Sequence, residues 1–217
     1  MLLVMFMKVE ILRFDDLGRG ICYIDDKVTF VPFAMPGDVL EIEITKEKKN
    51  YNEGKIVKII KPSKNRVVPP CPYFGVCGGC SYQMLRYEEN LLEKQNNVIN
   101  YFKKNGLLIN PSIIKNDRPY NYRNKITLKI VNRKIGYFKN NSHEIVEINK
   151  CLLAENKINE VIKLIPSLNI INGEVIIRCN FKDEILIIIS TNDNVVLSKI
   201  KDIKNLKGII LNNKTIY

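Results

Sequence analysis

The chain has 217 residues, and with 46% hydrophobic and 26% charged residues its composition is that of a globular protein of one or two domains. A net charge of +11, from 34 basic against 23 acidic residues, favours a polyanionic partner, most simply nucleic acid. No stretch approaches the roughly 18 apolar residues of a membrane helix, and the apolar start MLLVMFM lacks the features of a signal peptide. The sequence therefore excludes a membrane protein and predicts a cytoplasmic location. MLLVMFM is interpreted as a buried first strand or as the result of a start codon assigned slightly early.

Residues 8 to about 62 predict a small all-β unit. The segments KVEIL, ICYI, KVTFVPF, VLEIEIT and KIVKII have the short length and apolar content of strands. Turn signals separate them at DDLGRG, at Asp25-Asp26 and at Pro36-Gly37, where Pro fixes φ and Gly accepts a positive φ. Several short strands at this spacing indicate a small barrel or sandwich.

A linker and a helix follow this unit. The segment KPSKNRVVPPCPYFG (61–75) is rich in Pro and basic residues and has no periodicity, which predicts a linker into a cysteine-rich loop. From Tyr82 to Lys104 the apolar residues recur at spacings that line one face of a helix. Gly106 stands where a glycine commonly ends a helix.

The rest of the chain alternates strand patterns with one short helix. KITLKIV, KIGYF and HEIVEI predict a meander with its turn at Asn132-Arg133, and CLLAENKINEVIKLIP predicts an amphipathic helix that Pro166 ends. EVIIRCNF and EILIIIS predict a hairpin through Lys182-Asp183, and LKGIILNNKTIY predicts a final strand. This order of elements predicts an α+β region after the all-β unit.

Three cysteines lie within ten residues at the spacing C-x5-C-x2-C: Cys71, Cys77 and Cys80. In a reducing compartment such a cluster more often holds a metal than forms disulfides. Iron–sulfur clusters and structural zinc sites usually take four ligands, and Cys151, which begins a helix after the meander, is the natural fourth. The spacing alone leaves an iron–sulfur cluster and zinc equally open, and three unligated thiols are the alternative to both.

The remaining cysteines and the single histidine have simpler explanations. Cys22 and Cys179 lie within strand patterns, where a buried core thiol is the expected role. His143 is the lone histidine of the chain, and we interpret it as part of ordinary packing rather than as a zinc ligand.

The stretch CPYFGVCGGCSYQMLRYEENLLEKQ (71–95) closely resembles the iron–sulfur loop and following helix of the RNA uracil-C5 methyltransferases, in particular the RumA-type 23S ribosomal RNA enzymes. The likeness extends to both sides. GRG, VPFAMPGD and PSKNRVVPPC are similar to the TRAM domain, a small RNA-binding β-barrel, and YNYRNKITLKI, KIGYF and IVEINKCLLA are similar to the family's central substrate-binding domain.

The resemblance implies three regions: a TRAM-like RNA-binding β-barrel over residues 1–62, a linker and iron–sulfur cysteine loop over 63–81, and a central α+β substrate-binding domain over 82–217. The predicted fold class is a β-barrel (OB-like TRAM domain) followed by an α+β central domain, with no complete Rossmann-like domain in this chain. A [4Fe–4S] cluster held by Cys71, Cys77, Cys80 and Cys151 is implied as well, which decides the choice of metal in favour of iron. In the family this cluster organises the central domain and the RNA-facing surface and does not carry out methyl transfer.

The family's methyl-transfer residues have no counterpart in this sequence. In the family a C-terminal Rossmann-like domain binds S-adenosylmethionine and supplies a cysteine nucleophile for uracil C6 and an acidic residue that removes the C5 proton. This chain ends at Tyr217 without a G-x-G-x-x-G turn after a strand and without a cysteine after Cys179. We therefore assign no catalytic residue. The catalytic domain is expected to be absent, S-adenosylmethionine to bind only the full-length enzyme, and this chain alone to be inactive.

Two segments combine basic and aromatic residues in the way of RNA-binding surfaces. In the all-β unit, TKEKKNY places four candidates on one connection between strands. They are Lys46, Lys48, Lys49 and Tyr51. A solvated lysine turn is the alternative for each of them.

The second segment is RPYNYRNK (118–125), in which Arg, otherwise scarce in the chain, alternates with Tyr. Its RNA-contact candidates are Arg118, Tyr122, Arg123 and Lys125. Tyr120 belongs to the same pattern, and burial of Tyr122 against the sheet is the alternative.

These observations favour an RNA-binding and [4Fe–4S]-binding N-terminal portion of an S-adenosylmethionine-dependent RNA uracil-C5 methyltransferase. The expected partner is 23S ribosomal RNA, with transfer RNA second, and neither DNA nor a membrane is expected. A separately encoded polypeptide is one way to supply the methyltransferase domain. The main alternative is a free-standing RNA-binding module with a structural metal site. A radical S-adenosylmethionine methylthiotransferase would need C-x3-C-x2-C and is set aside.

Overall fold

The computed structural model describes residues 6–140 and 142–217, so MLLVM, most of the predicted first strand, lies outside the described residues. The chain divides into two compact units. The first contains the chain up to Pro70 together with Cys80–Lys115, and the second contains Cys71–Gly79 together with Asn116–Tyr217. The division into 1–62, 63–81 and 82–217 stays a prediction.

The first unit is built on a six-stranded sheet with the order β1-β5-β6-β4-β3-β2. Neighbouring strands are antiparallel except β4 and β6, which are parallel. The strands are β1 (Phe6–Glu10), β2 (Arg13–Phe14), β3 (Gly20–Ile24), β4 (Lys27–Val31), β5 (Val39–Glu47) and β6 (Tyr51–Lys61). The predicted turns are confirmed, because Asp25 and Asp26 both have positive φ and Gly37 has φ +83°.

One face of this sheet forms a small core, and burial alternates along β5. Leu40 and Ile42 are fully buried, whereas Glu41 between them is not. The chain after β6 is fastened to this unit by a buried ion pair, in which the side chain of Arg66 lies 2.5 Å from the carboxylate of Asp38.

The first unit also contains α1 (Tyr87–Lys104), which begins five residues later than the sequence predicts. The preceding residues Met84 and Leu85 are buried, and Leu85 pairs with Arg66 as an isolated bridge, which holds them outside the helix. Gly106 has φ +79°, so the predicted glycine at the helix end is confirmed.

The second unit is built on a seven-stranded sheet with the order β13-β12-β11-β10-β7-β8-β9. Its strands are β7 (Lys125–Val131), β8 (Lys134–Phe138), β9 (Ile145–Glu147), β10 (Gly173–Cys179), β11 (Ile185–Thr191), β12 (Leu206–Leu211) and β13 (Lys214–Thr215). The predicted turn at Asn132-Arg133 is confirmed by φ values of 50° and 67°. All neighbours are antiparallel except β11 and β12, which are parallel.

Two short helices and a single 3₁₀ turn accompany this sheet: α2 (Asn156–Ile162), the turn Ile165–Leu168, and α3 (Ser198–Lys201). Ile158 of α2 belongs to the same fully buried core as Leu128 of β7 and Ile177 of β10. The predicted helix over CLLAENKINEVIKLIP is thus shorter than expected, because its first residues form a separate turn and Pro166 belongs to the 3₁₀ turn. Among the described residues, no helix is long and apolar enough to cross a membrane.

The predicted fold class, an OB-like β-barrel followed by an α+β central domain with no complete Rossmann-like domain, is wrong. The first sheet has six strands with a parallel pair in its middle, unlike the five strands of an OB fold. The second sheet is a large mixed sheet, in which a crossover through α3 joins the parallel strands β11 and β12. Local patterns identify strands but carry no information on which strands pair or in which direction, and fold class depends on that pairing.

Candidate functional site

The loop Cys71–Gly79 is held against the second sheet by backbone hydrogen bonds. Cys77 N donates to Tyr73 O at 2.9 Å inside the loop, and Gly78 N donates to Phe138 O, the last residue of β8, at 3.1 Å. A Cβ on Gly78 would lie 3.2 Å from that same oxygen, so the close approach favours glycine. The position of Cys77 is therefore set by the end of β8.

Cys151 is positioned by α2. The side-chain oxygen of Asn159 accepts a hydrogen bond from Cys151 N at 2.8 Å, and its amide nitrogen donates to the carbonyls of Cys151 and Ala154, both at 3.1 Å. One amide side chain thus satisfies three backbone groups of the turn that begins at Cys151. This turn replaces the first part of the predicted helix.

The thiols of Cys71, Cys77 and Cys151 are electrostatic neighbours in the second unit. Burial raises the pKa of Cys77, a hydrogen bond from the Gly79 backbone lowers it, and the thiolates of Cys151 and Cys71 raise it. The positive charge of Arg123 lowers the pKa of Cys77, but burial outweighs it and the pKa of this thiol is raised overall. Three of the four predicted ligands thus share one neighbourhood, whereas Cys80 belongs to the first unit.

Within residues 6–140 and 142–217, no group of three or more His, Cys, Asp or Glu side chains is placed to hold a metal ion. A zinc site needs its donors to converge on one ion at about 2.0–2.3 Å. In a [4Fe–4S] cluster each thiolate binds a different iron atom, so the ligands stand further apart. The described thiols therefore do not form a site that is already arranged for a single metal ion.

The hydroxyl of Tyr137, on β8, is a buried polar atom without a hydrogen-bond partner among the described residues. Burial raises the pKa of Tyr137, and the charge of the neighbouring Cys151 raises it further. An unpaired buried hydroxyl costs about 1–3 kcal/mol. The sulfur atoms of an iron–sulfur cluster accept hydrogen bonds, so a donor placed beside Cys151 fits a cluster at this position.

The other cysteines are placed as the sequence predicts. Cys22 and Cys179 are buried in the cores of the first and second units, and burial raises the pKa of the Cys22 thiol to about 11. His143 is exposed and packs edge-on against Phe138 at 5.2 Å between ring centres.

The basic and aromatic segment 118–125 runs beside the turn that begins at Cys151. Arg123 N donates to Leu153 O at 2.7 Å, and Glu155 N donates to Arg123 O at 3.0 Å. These bonds bring Arg123 close enough to the cysteines to affect the pKa of Cys77. Two candidate sites that the sequence treats separately are therefore contiguous.

The other candidates in this segment face solvent. Arg118 and Lys125 are exposed, and the side chain of Tyr122 is 47% exposed, so the alternative in which Tyr122 belongs to the core is wrong. Lys125 lies directly opposite the exposed Arg178 of β10, which sequence reasoning missed. Only the pairing of β7 with β10 brings these two charges together.

In the first unit, the lysine candidates lie on the hairpin between β5 and β6. Lys48 N donates to Tyr51 O at 2.9 Å across the turn, and both Lys48 and Lys49 are exposed. The ammonium of Lys46 lies 3.4 Å from the carboxylate of Glu53, so part of its charge is already compensated. Among the described residues of this hairpin, Lys48 and Lys49 have no acidic partner in an ion pair, so their positive charges are not neutralised.

Sequence reasoning missed the aromatic and Arg residues beside Tyr51. The ring of Phe30 on β4 packs edge-on against Tyr51 with 5.8 Å between ring centres, and the guanidinium of Arg19 lies 4.2 Å from the centre of the Phe30 ring. Tyr23 of β3 lies on the same face. The alternation in β3 and β4 gives the faces of these residues, but only the strand pairing shows that they are neighbours.

Residues 6–57 match the family model of the TRAM domain. An uncharacterized RNA methyltransferase of Clostridium acetobutylicum is 34% identical over 93% of this chain and 51% of its own length. The 23S rRNA (uracil(1939)-C(5))-methyltransferase RlmD of Legionella pneumophila is 38% identical over 65% of this chain and 34% of its own length. The chain is therefore similar over most of its length to RNA methyltransferases, among them enzymes named for uracil C5 of 23S rRNA. It spans about half the length, or less, of these curated relatives.

A solved structure supports the fold of this chain. The tRNA (uracil-54, C5)-methyltransferase of Pyrococcus abyssi, solved with S-adenosyl-L-homocysteine, matches with a TM-score of 0.70 at 22% identity. The match covers 94% of this chain and 50% of that one. Nearly the whole chain therefore shares the fold of about half of that methyltransferase structure, which completes the correction of the predicted fold class.

Proposed function

We propose that this chain binds RNA for the S-adenosylmethionine-dependent methylation of uracil C5, with 23S ribosomal RNA as the substrate. The observation that carries the proposal is the TRAM match over residues 6–57 within a chain that is related to RNA methyltransferases along 93% of its length. The relative named for 23S rRNA is 38% identical and the one named for tRNA is 22% identical, which favours 23S rRNA.

The RNA-contact residues proposed in the first unit are those of the β5–β6 hairpin. The exposed Lys48 and Lys49 contact phosphates, and Tyr51 contacts a base. Lys46 contributes less, since Glu53 shares its charge. These contacts make affinity depend on salt, because each phosphate contact releases counterions from the RNA.

In the second unit, the proposed contacts are the exposed Arg118, Tyr122 and Lys125, together with Arg123. Hydrogen bonds fix both the N–H and the carbonyl of Arg123. The backbone at this residue is therefore already ordered, and RNA binding costs it little further conformational entropy. Arg178, which lies directly opposite Lys125, also carries a positive charge, so the two side chains do not neutralise each other and both are proposed to contact phosphate.

Cys71, Cys77, Cys80 and Cys151 are proposed as ligands of a [4Fe–4S] cluster. Support comes from the shared neighbourhood of three of these thiols and from the buried Tyr137 hydroxyl, which has no acceptor among the described residues. When bound, the cluster would link the loop Cys71–Gly79 to the turn at Cys151 through its cysteine ligands. The free energy of ligation would then add to the free energy of folding.

The experiment that tests the RNA proposal is a competition assay with the full chain. A labelled fragment of 23S rRNA containing the uridine methylated by the relatives is bound and followed by fluorescence anisotropy, and unlabelled tRNA competes. We expect the 23S fragment to bind about 10-fold more tightly than tRNA, which corresponds to about 1.4 kcal/mol. Equal binding, or a preference for tRNA, would overturn 23S rRNA as the substrate, and absence of RNA binding would overturn the function.

The cluster is tested separately by anaerobic purification. We expect a broad absorption band at about 400 nm with iron and sulfide in equal amounts. A colourless, folded protein that contains zinc would instead support a free-standing binding module with a structural metal.

A further inference from the structure

The outward face of β3, β4 and β6 carries a cluster of aromatic side chains. Tyr23 lies opposite Val28, and Val28 lies opposite Tyr51, so these three residues form one row across three neighbouring strands. Phe30 lies two residues along β4 from Val28 and therefore on the same face. We call Tyr23, Phe30 and Tyr51 the aromatic face.

The aromatic face is the outer face of these strands, because side chains on their other face are buried. Thr29 and Asn52 alternate with the members of the aromatic face, are buried, and are joined by a hydrogen bond of 3.2 Å. Tyr23 is 53% exposed, and Phe30 and Tyr51 are half-buried. Exposed aromatic rings on neighbouring strands are costly to leave in water and are typical of surfaces that bind a ligand.

Arg19 completes the surface. Its guanidinium lies over the Phe30 ring, and it is fixed there by Asp15, which accepts from Arg19 Nε at 2.7 Å. A guanidinium held in this way is a planar cation, and such planes stack on nucleic-acid bases as aromatic rings do. The salt bridge to Asp15 reduces its value as a phosphate contact, which leaves stacking as the role that the geometry supports.

Charge is distributed unevenly around the aromatic face. The exposed Lys48 and Lys49 lie next to Tyr51, whereas the turn that follows Tyr23 contains Asp25 and Asp26. Phosphates are therefore attracted at the Tyr51 end and repelled at the Tyr23 end. A ligand that covers both ends must present uncharged rings, rather than phosphates, at Tyr23.

We propose that the aromatic face stacks unpaired bases of single-stranded RNA, with Tyr23 and Tyr51 as base platforms and Arg19 on Phe30 as a third. The proposal rests on the proposed function and adds the class of RNA to it. Strands lie about 4.8 Å apart, so Tyr23 and Tyr51 are about 10 Å apart, further than stacked bases, and the bases they bind must be splayed. A duplex keeps its bases stacked inside, out of reach of a sheet surface.

The test compares a fluorescein-labelled single-stranded RNA with a duplex of the same sequence. The RNA has about 12 nucleotides, a length within the binding-site sizes of small RNA-binding barrels. Binding to the full chain is measured by anisotropy across a series of KCl concentrations. We expect Tyr23→Ala to weaken single-strand binding about 10-fold without changing the salt slope, because the stacking contact neutralises no phosphate. Tyr23→Phe should bind like the wild type, because its ring is retained.

Two controls separate stacking from charge and from general effects. Tyr101→Ala removes another exposed tyrosine of the same unit, 63% exposed on α1, and should leave affinity unchanged. Lys48→Ala with Lys49→Ala should instead lower the salt slope, by about 0.7 for each lost phosphate contact. The chain contains no Trp, so quenching of tyrosine fluorescence on binding reports directly on stacking and should fall in Tyr23→Ala.

The outcomes distinguish this inference from the function on which it rests. If the wild-type chain binds neither RNA, the proposed function fails. If the wild type binds but Tyr23→Ala and Tyr51→Ala bind equally well, or duplex binds as tightly as single strand, the aromatic face is not a base platform.

Discussion

The buried ion pair between Asp38 and Arg66 gives the sharpest stability prediction for the first unit. The Asp38 carboxylate is fully buried and accepts hydrogen bonds from Met35 N and Ser63 N, both at 2.9 Å, as well as from Arg66 Nε at 2.9 Å and Nη2 at 2.5 Å. Arg66→Met keeps the apolar stem of the side chain and removes the charge together with its hydrogen bonds to Asp38 and to the Phe33 carbonyl. Breaking a buried pair from one side costs about 3–5 kcal/mol. Since two backbone donors remain, we expect the lower end, about 3 kcal/mol.

The assay is native-state hydrogen exchange of the full chain, because the two units need not unfold together. A loss of about 3 kcal/mol corresponds to amide exchange about 150-fold faster in β3, β4 and β5, with amides of the seven-stranded sheet unchanged. Lys104→Met is the matched control, since Lys104 pairs with Asp16 at 3.2 Å and both side chains are about two-thirds exposed. Its cost should stay below about 0.5 kcal/mol. An acceleration below about 10-fold in Arg66→Met, or an equal effect in Lys104→Met, would refute the reasoning.

Four further predictions concern the second unit and its proposed cluster. Cys80→Ala should abolish iron binding and lower the protection of the second unit, measured by iron content and hydrogen exchange; retained iron would contradict Cys80 as a ligand. Arg123→Ala with Lys125→Ala should lower the salt slope of RNA binding by about 0.7 per lost contact, and an unchanged slope would remove both as phosphate contacts. Tyr137→Phe should retain iron but shift the reduction potential of the cluster in a redox titration, because the hydroxyl is its proposed donor; an unshifted potential would contradict that contact. Backbone amides lower the pKa of Asp193, so its stabilisation is present above the unfolded pKa of about 3.9 and is lost as pH falls through the folded pKa. Asp193→Asn should therefore lower the melting temperature at pH 7 but not at about pH 2, and equal lowering at both would contradict it.

The sequence predicts local elements well where turn chemistry and alternation agree. The turns at Asp25-Asp26 and Asn132-Arg133 require positive φ at two successive residues, which Asp and Asn tolerate, and both occur as predicted. The helix α1 begins late because Met84 and Leu85, apolar and correctly spaced, are used for burial before the helix rather than within it. Apolar periodicity alone does not distinguish these two uses.

The contacts that the sequence did not predict depend on pairing between segments that are far apart in the chain. Phe30 and Tyr51 touch because β4 and β6 are parallel neighbours, although β5 separates them in the chain. Likewise Arg123 and Cys77 interact only because segment 118–125 pairs with the turn after Cys151. The fold class failed for the same reason, since strand order and direction are properties of these pairings.

The contiguity of the cysteines and the basic segment has a consequence for their energetics. On one side of the turn from Cys151 to Ala154, Cys151 N donates to the Asn159 side chain, which in turn donates to Ala154 O, and on the other side the turn pairs with Arg123. A change in the cysteine neighbourhood that moves this turn therefore also moves Arg123, and with it the proposed RNA surface. Groups that share a network in this way do not have additive effects. Substituting a cysteine ligand together with Arg123 should accordingly cost less RNA affinity than the sum of the two separate losses.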